Sequence, residues 1–259
     1  MRIRSQLAGC LALIGSVLAP LSAQTKESSD ILQVIDAQVS FLDQDFAAEY
    51  TVTQEKPGQG SSVTKAAVFR RDREDKFLIL VLEPSADKGK GYLKIGDTLW
   101  IYDPVSRRFN VSSARNRFQN SNARNSDFTS STLAKDYRIT GESAQKLGAY
   151  ATQVYELEAL HNEVSFPFMK IWVDENNLVR KFEDYSLSRQ LLRTTAIPTY
   201  QRVGDRFVPA RIVIVDALQG RTVSGVFRNE RTIITVAKPT LNRLADLIFT
   251  QAYLERTSR

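Results

Sequence analysis

The chain has 259 residues, of which 42% are hydrophobic and 25% charged, and its formal net charge is +6. The length suits one β-rich domain, and so mild a positive charge does not indicate a nucleic-acid-binding protein. A single histidine and a single cysteine leave almost no material for a histidine-based metal site or a Ser-His-Asp triad, and they exclude a disulfide.

The first 23 residues have the layout of an export signal. Two arginines supply a positive start, residues 7–21 are almost wholly apolar, and Ala23 is a small residue at the cleavage site. Cleavage there lowers the net charge to +4 and removes Cys10. We interpret the lipobox-like surroundings of Cys10 as a decoy, because the apolar core follows the cysteine. We expect residues 24–259 to form one exported domain, which in a bacterium lies in the periplasm.

A first helix is predicted from about residue 28 to Asp43. Its apolar positions recur at helical spacing and are Ile31, Leu32, Ile35, Val39 and Leu42. From Phe46 onward the apolar residues alternate with polar ones, which predicts strands. The strands expected in the first half of the chain cover residues 46–56, 63–71, 76–83, 91–95, 98–102 and 108–112.

A long segment, Ser113–Ala134, follows these strands and shows little periodicity. It is rich in Asn, Ser and Arg and is predicted to be a loop that ends in a short helix from about Ser130. Between Pro104 and Ser126 the chain has five arginines and no acidic residue: Arg107, Arg108, Arg115, Arg117 and Arg124. Two interpretations stay open, a solvated loop or a contact with anionic lipid headgroups or an acidic partner.

The second half of the chain again predicts strands, followed by a last helix at about residues 241–255. These strands cover residues 137–143, 149–160, 168–174, 178–186, 191–203, 206–216 and 222–234, with a turn at Gln219–Gly220. Short strands separated by turns are typical of an antiparallel sheet. The fold class is therefore predicted to be mainly β, a single curved sheet with helices against one face.

The aromatic residues are spread over many of these strands. Trp100 and Tyr102 share one face of their strand, while Leu99 and Ile101 share the other, because side chains alternate along a strand. Both faces must then be covered. A plain hydrophobic core would explain each aromatic residue, and an open sheet that holds an apolar ligand would explain the whole set.

No constellation in the chain indicates an enzyme. His161 is interpreted as a solvated turn residue, and the glycines of Lys88–Gly91 precede a strand, whereas a phosphate-binding loop precedes a helix. Three carboxylate pairs are interpreted as parts of solvated faces: Asp43 with Asp45, Glu156 with Glu158, and Glu183 with Asp184. We expect no catalytic residues, no metal and no cofactor.

Short motifs extend over nearly the whole predicted mature chain. They comprise Pro84, Gly89, Gly91, Tyr92 and Leu93; Asp97, Leu99, Trp100, Tyr102 and Pro104; Arg107 and Arg108; Ser126-Asp127-Phe128 before Leu133; Trp172-Val173-Asp174 with Leu178-Val179-Arg180; and Phe249-Thr250. In these residues the chain resembles the outer-membrane lipoprotein-sorting proteins, relatives of the LolA and LolB lipoprotein carriers.

The resemblance implies an unclosed half-barrel whose helices form a lid over an apolar cavity that holds the acyl chains of lipoproteins. It also implies an inner-membrane releasing complex, an outer-membrane acceptor and transient contact with a membrane surface. The expected cavity residues are Tyr50, Val52, Phe69, Tyr92, Trp100, Tyr102, Trp172 and Phe227. The expected lid residues are Leu32, Ile35, Val39, Leu42, Phe128 and Leu133.

Two rival hypotheses accompany this one. A non-enzymatic periplasmic adaptor would bind a protein or an envelope partner through the sheet surface and the arginine-rich loop, with the aromatic residues as plain core. A hydrolase of envelope material is the weaker rival, because the sequence lacks a nucleophile with its base.

Overall fold

The structure, a computed structural model, describes residues 31–258, so the predicted signal peptide, Cys10 and the first predicted turn of the helix lie outside the described residues. The strands are β1 (Phe46–Lys56), β2 (Gly60–Arg71), β3 (Lys76–Glu83), β4 (Gly91–Ile95), β5 (Thr98–Asp103), β6 (Arg108–Ser112), β7 (Tyr137–Leu147), β8 (Tyr150–Ala159), β9 (Phe168–Val173), β10 (Val179–Tyr185), β11 (Leu191–Val203), β12 (Arg206–Val223) and β13 (Val226–Leu241). The helices are α1 (residues 31–39), α2 (Leu133–Asp136) and α3 (Gln251–Thr257).

All thirteen strands form one antiparallel sheet in the order β6-β5-β4-β3-β2-β1-β13-β12-β11-β10-β9-β8-β7. Two meanders therefore meet where the first strand pairs with the last, at positions such as Val52 with Ile234. Strands β6 and β7 are the two ends of this order, so the sheet is unclosed. The predicted fold class, mainly β with an unclosed antiparallel sheet and a few short helices, is confirmed.

The predicted helices differ in extent from those observed. Helix α1 ends at residue 39 rather than at Asp43. The helix predicted for residues 241–255 is wrong in its first half: β13 ends at Leu241, which pairs with Phe46 of β1, and residues 242–245 have no regular structure. A 3₁₀ turn at Asp246–Phe249 then leads into α3.

The turn predicted at Gln219–Gly220 is also wrong. Gly220 lies in the β12–β13 hairpin opposite Asn229, and the chain reverses at Ser224 and Gly225, which both have positive φ. Two consecutive positive-φ residues give a turn whose twist matches that of the paired strands. The hairpin is therefore longer than expected, and it carries Phe227 close to its end.

The two faces of the sheet are covered by different parts of the chain. The face that bears Tyr50, here called the inner face, is covered by α1, α2 and the segment between β6 and β7, and it holds two buried hydrophobic clusters. The opposite face, here called the outer face, holds a third cluster under α3, which includes Leu78 and Leu254.

The predicted Gly89-x-Gly91 motif explains how α3 approaches the outer face. A Cβ atom on Gly91 would lie 2.5 Å from Leu254 Cδ2 of α3, and Gly89 has a φ of +85°. Glycine at these positions gives the left-handed turn and the close approach that a larger residue would prevent. The motif is thus a packing site for α3.

Candidate functional site

Residues 113–132, here called the strap, connect β6 to β7 and so must cross from one end of the sheet to the other. The strap buries two aromatic side chains, Phe118 and Phe128, in the first inner-face cluster. Their ring centroids lie 4.7 Å apart, and the Phe118 ring is 4.9 Å from that of Tyr92. The Phe128 ring is 5.8 Å from that of Tyr50. The strap thereby completes a continuous aromatic layer on the inner face.

Polar contacts hold the strap in this position, two of them in its middle. The guanidinium of Arg193 on β11 donates two hydrogen bonds to Asp127, at 2.7 and 2.8 Å. The backbone N–H of Asn122 donates to Thr232 Oγ1 on β13 at 2.8 Å. The ion pair to β11 and the hydrogen bond to β13 therefore anchor the part of the strap that lies between its two aromatic residues.

Helices α1 and α2 cover the second inner-face cluster. Leu32 and Ile35 of α1 and Leu133 of α2 are buried there against strand residues such as Ile171. The carboxylate of Asp36 accepts hydrogen bonds from the backbone N–H groups of Leu133 at 3.0 Å and of Ala134 at 2.9 Å. Asp36 therefore caps α2 from α1, and the two helices form one unit. Burial raises the pKa of this carboxyl group.

The predicted cavity residues do not lie on a single face. Tyr50, Val52 and Tyr92 are buried in the first inner-face cluster, and burial raises the pKa of both tyrosines to about 12. In contrast, Trp100 and Tyr102 lie on the outer face in the cluster under α3. Both faces of β5 are apolar, so its sequence pattern could not show which one the strap covers.

Three further residues of that set also lie away from the inner-face cluster. Phe69 packs in the outer-face cluster. Trp172 donates a hydrogen bond from Nε1 to Gln145 Oε1 at 2.7 Å, and the ammonium of Lys181 lies over its ring. The strand position of Trp172, opposite Lys181, places it on the outer face. Phe227 is 56% exposed near the end of the β12–β13 hairpin. The structure therefore brings together three of the eight predicted residues.

The predicted lid residues are mostly brought to the inner face. Leu32, Ile35, Phe128 and Leu133 are buried in its two clusters. Val39 is half-buried, whereas Leu42 is 60% exposed. Leu42 points to solvent because α1 has ended by residue 39, so the helical spacing that placed it on the apolar face no longer applies.

The five predicted arginines separate into two groups. Arg107 and Arg108 are exposed at the start of β6. The others contact the protein itself: Arg115 donates to the carbonyl oxygens of Asn162 and Glu163, Arg117 donates to Asp216 Oδ2 at 2.8 Å, and Arg124 lies over the Phe166 ring at 4.5 Å. Burial lowers the pKa of Arg124. The strap arginines are therefore used largely to hold the strap.

Two buried carboxylates were not identified from the sequence. Asp184 is fully buried beside Arg193, and its burial raises its pKa. Asp45 is fully buried and accepts hydrogen bonds from Arg71 and Arg73. The interpretation of their pairs as solvated is wrong for these two members. The sequence signal that could have pointed to the buried Asp184 is its partner Arg193, a charged residue within β11.

The remaining pair, Glu156 and Glu158, is at least partly exposed, and His161 is half-buried with its Nε2 3.0 Å from Asp136 Oδ1. Glu156 and Glu158 form ion pairs with Lys170 and Arg138. Within residues 31–258, His, Cys, Asp and Glu side chains do not gather in groups that could hold a metal ion. In the same range, no helix combines the length and the apolar character needed to cross a membrane. The inner face is thus an apolar surface covered by the strap, α1 and α2, with an ionic anchor at Arg193.

The model of a family described as "Uncharacterized protein" matches residues 73–256. No curated protein matches the sequence. Solved structures with the same fold do exist, and three of them superpose on most of the chain.

A LolA superfamily protein from Nitrosomonas europaea is 22% identical, with a TM-score of 0.73, and the match covers 87% of this chain and 98% of that one. An outer membrane lipoprotein-sorting protein domain from Vibrio parahaemolyticus is 19% identical, with a TM-score of 0.76 and coverage of 90% and 100%. A DUF1329 family protein from Desulfovibrio piger is 16% identical, with a TM-score of 0.76 and coverage of 89% and 99%. The resemblance drawn from the sequence motifs is confirmed as a likeness of fold.

Proposed function

Since the chain belongs to the family of uncharacterised proteins whose model matches residues 73–256 and has the fold of LolA superfamily proteins, we propose that it is a periplasmic carrier of acyl chains. The acyl chains belong to lipoproteins or other lipids, and the inner face of the sheet binds them. The protein delivers its cargo towards the outer membrane. No covalent step is involved.

The observation that carries this proposal is that several side chains buried on the inner face come from segments outside the sheet. Phe118 and Phe128 come from the strap, and Leu32 and Ile35 come from α1, so none of the four belongs to a strand. Each can leave without breaking a strand pair. An acyl chain can then take the place of these side chains on the apolar surface that they vacate.

The energies support such an exchange. Burial of each CH₂ gains about 0.8 kcal/mol, so a chain of roughly 12 carbons gains on the order of 10 kcal/mol. Opening of the strap alone exposes Phe118 and Phe128, which costs on the order of 6 kcal/mol. The difference, roughly 4 kcal/mol, is offset by the polar contacts that hold the strap closed, which include Arg193 with Asp127, Asn122 with Thr232 and Arg117 with Asp216. Binding and release are thus both accessible.

A reversible disulfide between strap and sheet tests the proposal. The Asn122 N–H lies 2.8 Å from Thr232 Oγ1, so the Cα atoms of these two residues are at most about 6.7 Å apart, which is within disulfide range. In the Asn122→Cys/Thr232→Cys variant we expect oxidation to lower uptake of a fluorescent fatty-acyl probe at least tenfold. Reduction of the same sample should restore uptake, so the variant provides its own control. Equal uptake in both redox states would refute the proposal.

The adaptor hypothesis loses part of its support. Three of the five arginines through which a partner would bind are engaged with the protein itself, namely Arg115, Arg117 and Arg124. A protein that takes up no acyl probe in either redox state would favour the adaptor, with Arg107 and Arg108 as its exposed charges.

A further inference from the structure

The end of the β12–β13 hairpin, residues 217–229, is here called the hairpin tip. It carries three exposed apolar side chains: Leu218 is 48% exposed, Val226 58% and Phe227 56%. The pairing of β13 with β1 ends at Arg231, and the pairing of β12 with β11 ends at Asp216. Four residue pairs, from Gly220–Asn229 to Val223–Val226, extend further, roughly 13 Å along the strands.

The hairpin tip is positively charged. Arg221 and Arg228 are both exposed and pair directly across the two strands, where like charges repel. Between Asp216 and Glu230 the sequence has no acidic residue. Those two flanking carboxylates are already engaged, Asp216 by Arg117 at 2.8 Å and Glu230 by Gln54 at 3.2 Å. An anion from outside the protein would relieve the repulsion between the two guanidinium groups.

The base of the tip is held in a defined shape. The Asp216 carboxylate accepts hydrogen bonds from the backbone N–H groups of Leu218 and Gln219, each at 2.9 Å, and Asn229 Nδ2 donates to the Asp216 carbonyl oxygen at 2.8 Å. The Phe227 ring lies over Gly220, where an added Cβ would come within 2.7 Å of Cζ. The apolar residues are thus presented on a braced projection.

We propose that the hairpin tip docks the protein on an anionic phospholipid bilayer. Leu218, Val226 and Phe227 enter the interfacial region, and Arg221 and Arg228 bind lipid phosphates. The tip lies outside both inner-face clusters, so this proposal does not depend on acyl-chain binding.

Vesicle partitioning tests the docking surface. Wild-type protein is sedimented with vesicles of 30% phosphatidylglycerol in phosphatidylcholine and with vesicles of phosphatidylcholine alone. We expect at least tenfold stronger partitioning into the anionic vesicles, and a fall in partitioning as salt screens the charges. Each basic residue near an anionic surface is worth roughly a fivefold change in partitioning, so Arg221→Gln/Arg228→Gln should lower it about 25-fold.

The matched control is Arg107→Gln/Arg108→Gln, which removes the same charge from another exposed site. It should change partitioning less than about threefold. Phe227→Trp adds a depth probe, and brominated lipids should quench its fluorescence beyond the wild-type signal from Trp100 and Trp172. All variants share the wild-type N-terminus, so any contribution from residues 1–30 cancels.

The proposal is overturned by any of three results: wild-type protein that does not bind anionic vesicles, equal losses in the two arginine variants, or a residue-227 tryptophan that brominated lipids do not quench. Uptake of the fatty-acyl probe in vesicle-free solution is measured in parallel. It should be unchanged in the Arg221→Gln/Arg228→Gln variant, so failure of the docking surface and failure of acyl-chain binding give different results.

Discussion

Replacement of Phe118 by alanine distinguishes a side chain that plugs a binding surface from one that is simply core. Phe118 is fully buried between the rings of Tyr92, at 4.9 Å, and Phe128, at 4.7 Å. Removing a buried phenylalanine side chain costs about 3–5 kcal/mol. Because Phe118 is on the strap, we expect this cost to fall on the closed position of the strap rather than on the strands of the sheet.

The expected consequence is tighter binding of acyl chains. A loss of about 3 kcal/mol in the closed state raises the ratio of open to closed protein by roughly 100-fold. The apparent affinity for a ligand that binds the open state rises in the same proportion until most molecules are open. We expect Phe118→Ala to lower the apparent Kd of a fluorescent fatty-acyl probe by up to about 100-fold. Hydrogen exchange of residues 113–132 should accelerate at the same time.

The control is Phe249→Ala, the same chemical change under α3 on the outer face. It should lower the free energy of unfolding by a similar amount without raising probe affinity. The reasoning is refuted if Phe118→Ala destabilises the protein while probe affinity stays constant or falls. In that case the strap opens only with global unfolding, and Phe118 is ordinary core.

Two further predictions concern α1 and the buried carboxylate Asp45. Leu32→Asp should lower the Tm, because it places a charge in the second inner-face cluster, whereas Leu42→Asp, at a position that is 60% exposed, should leave the Tm within error in the same melt. Asp45→Asn should lower the free energy of unfolding by about 3 kcal/mol at pH 7, because it removes the buried carboxylate that pairs with Arg71 and Arg73, while Arg71 keeps its ion pair with Asp246 at 2.6 Å. Burial acts to raise the pKa of Asp45, but hydrogen bonds from Arg71, the Leu244 N–H and Arg73 outweigh it and hold the pKa below its ordinary value. The carboxylate therefore stabilises the fold above its unfolded pKa of about 3.9, and the difference between wild type and variant should shrink as the pH falls below that value. Urea titrations at several pH values measure this difference, and a difference that stays constant down to pH 3 would contradict the assignment.

The strands were predictable because their signal is local. The predicted strand at residues 191–203 coincides with β11, and that at residues 108–112 coincides with β6. Alternation and turn residues act over a few positions, so a single sequence contains them. The end of β13 was not predictable in the same way, because Leu241 stays in the sheet by pairing with Phe46, almost two hundred residues earlier.

The candidate site was predictable only in part. The motifs named Phe128, Leu133 and Tyr92, which the structure places on the inner face. They did not point to the burial of Phe118 on the inner face or to Arg193 as the anchor of the strap. Both depend on where the strap crosses the sheet, and the sequence of the strap has no periodicity from which to infer its path.

The sequence by itself determined the antiparallel sheet, the division into two series of strands and the position of the long connection between them. The tertiary structure alone decided which face of the sheet is inner and which charges are buried. Trp100 and Leu99 are adjacent apolar residues on opposite faces, so alternation is equally satisfied by either orientation. The choice was made by what covers each face, the strap and α1 on one side and α3 on the other, and these contacts join residues far apart in the chain.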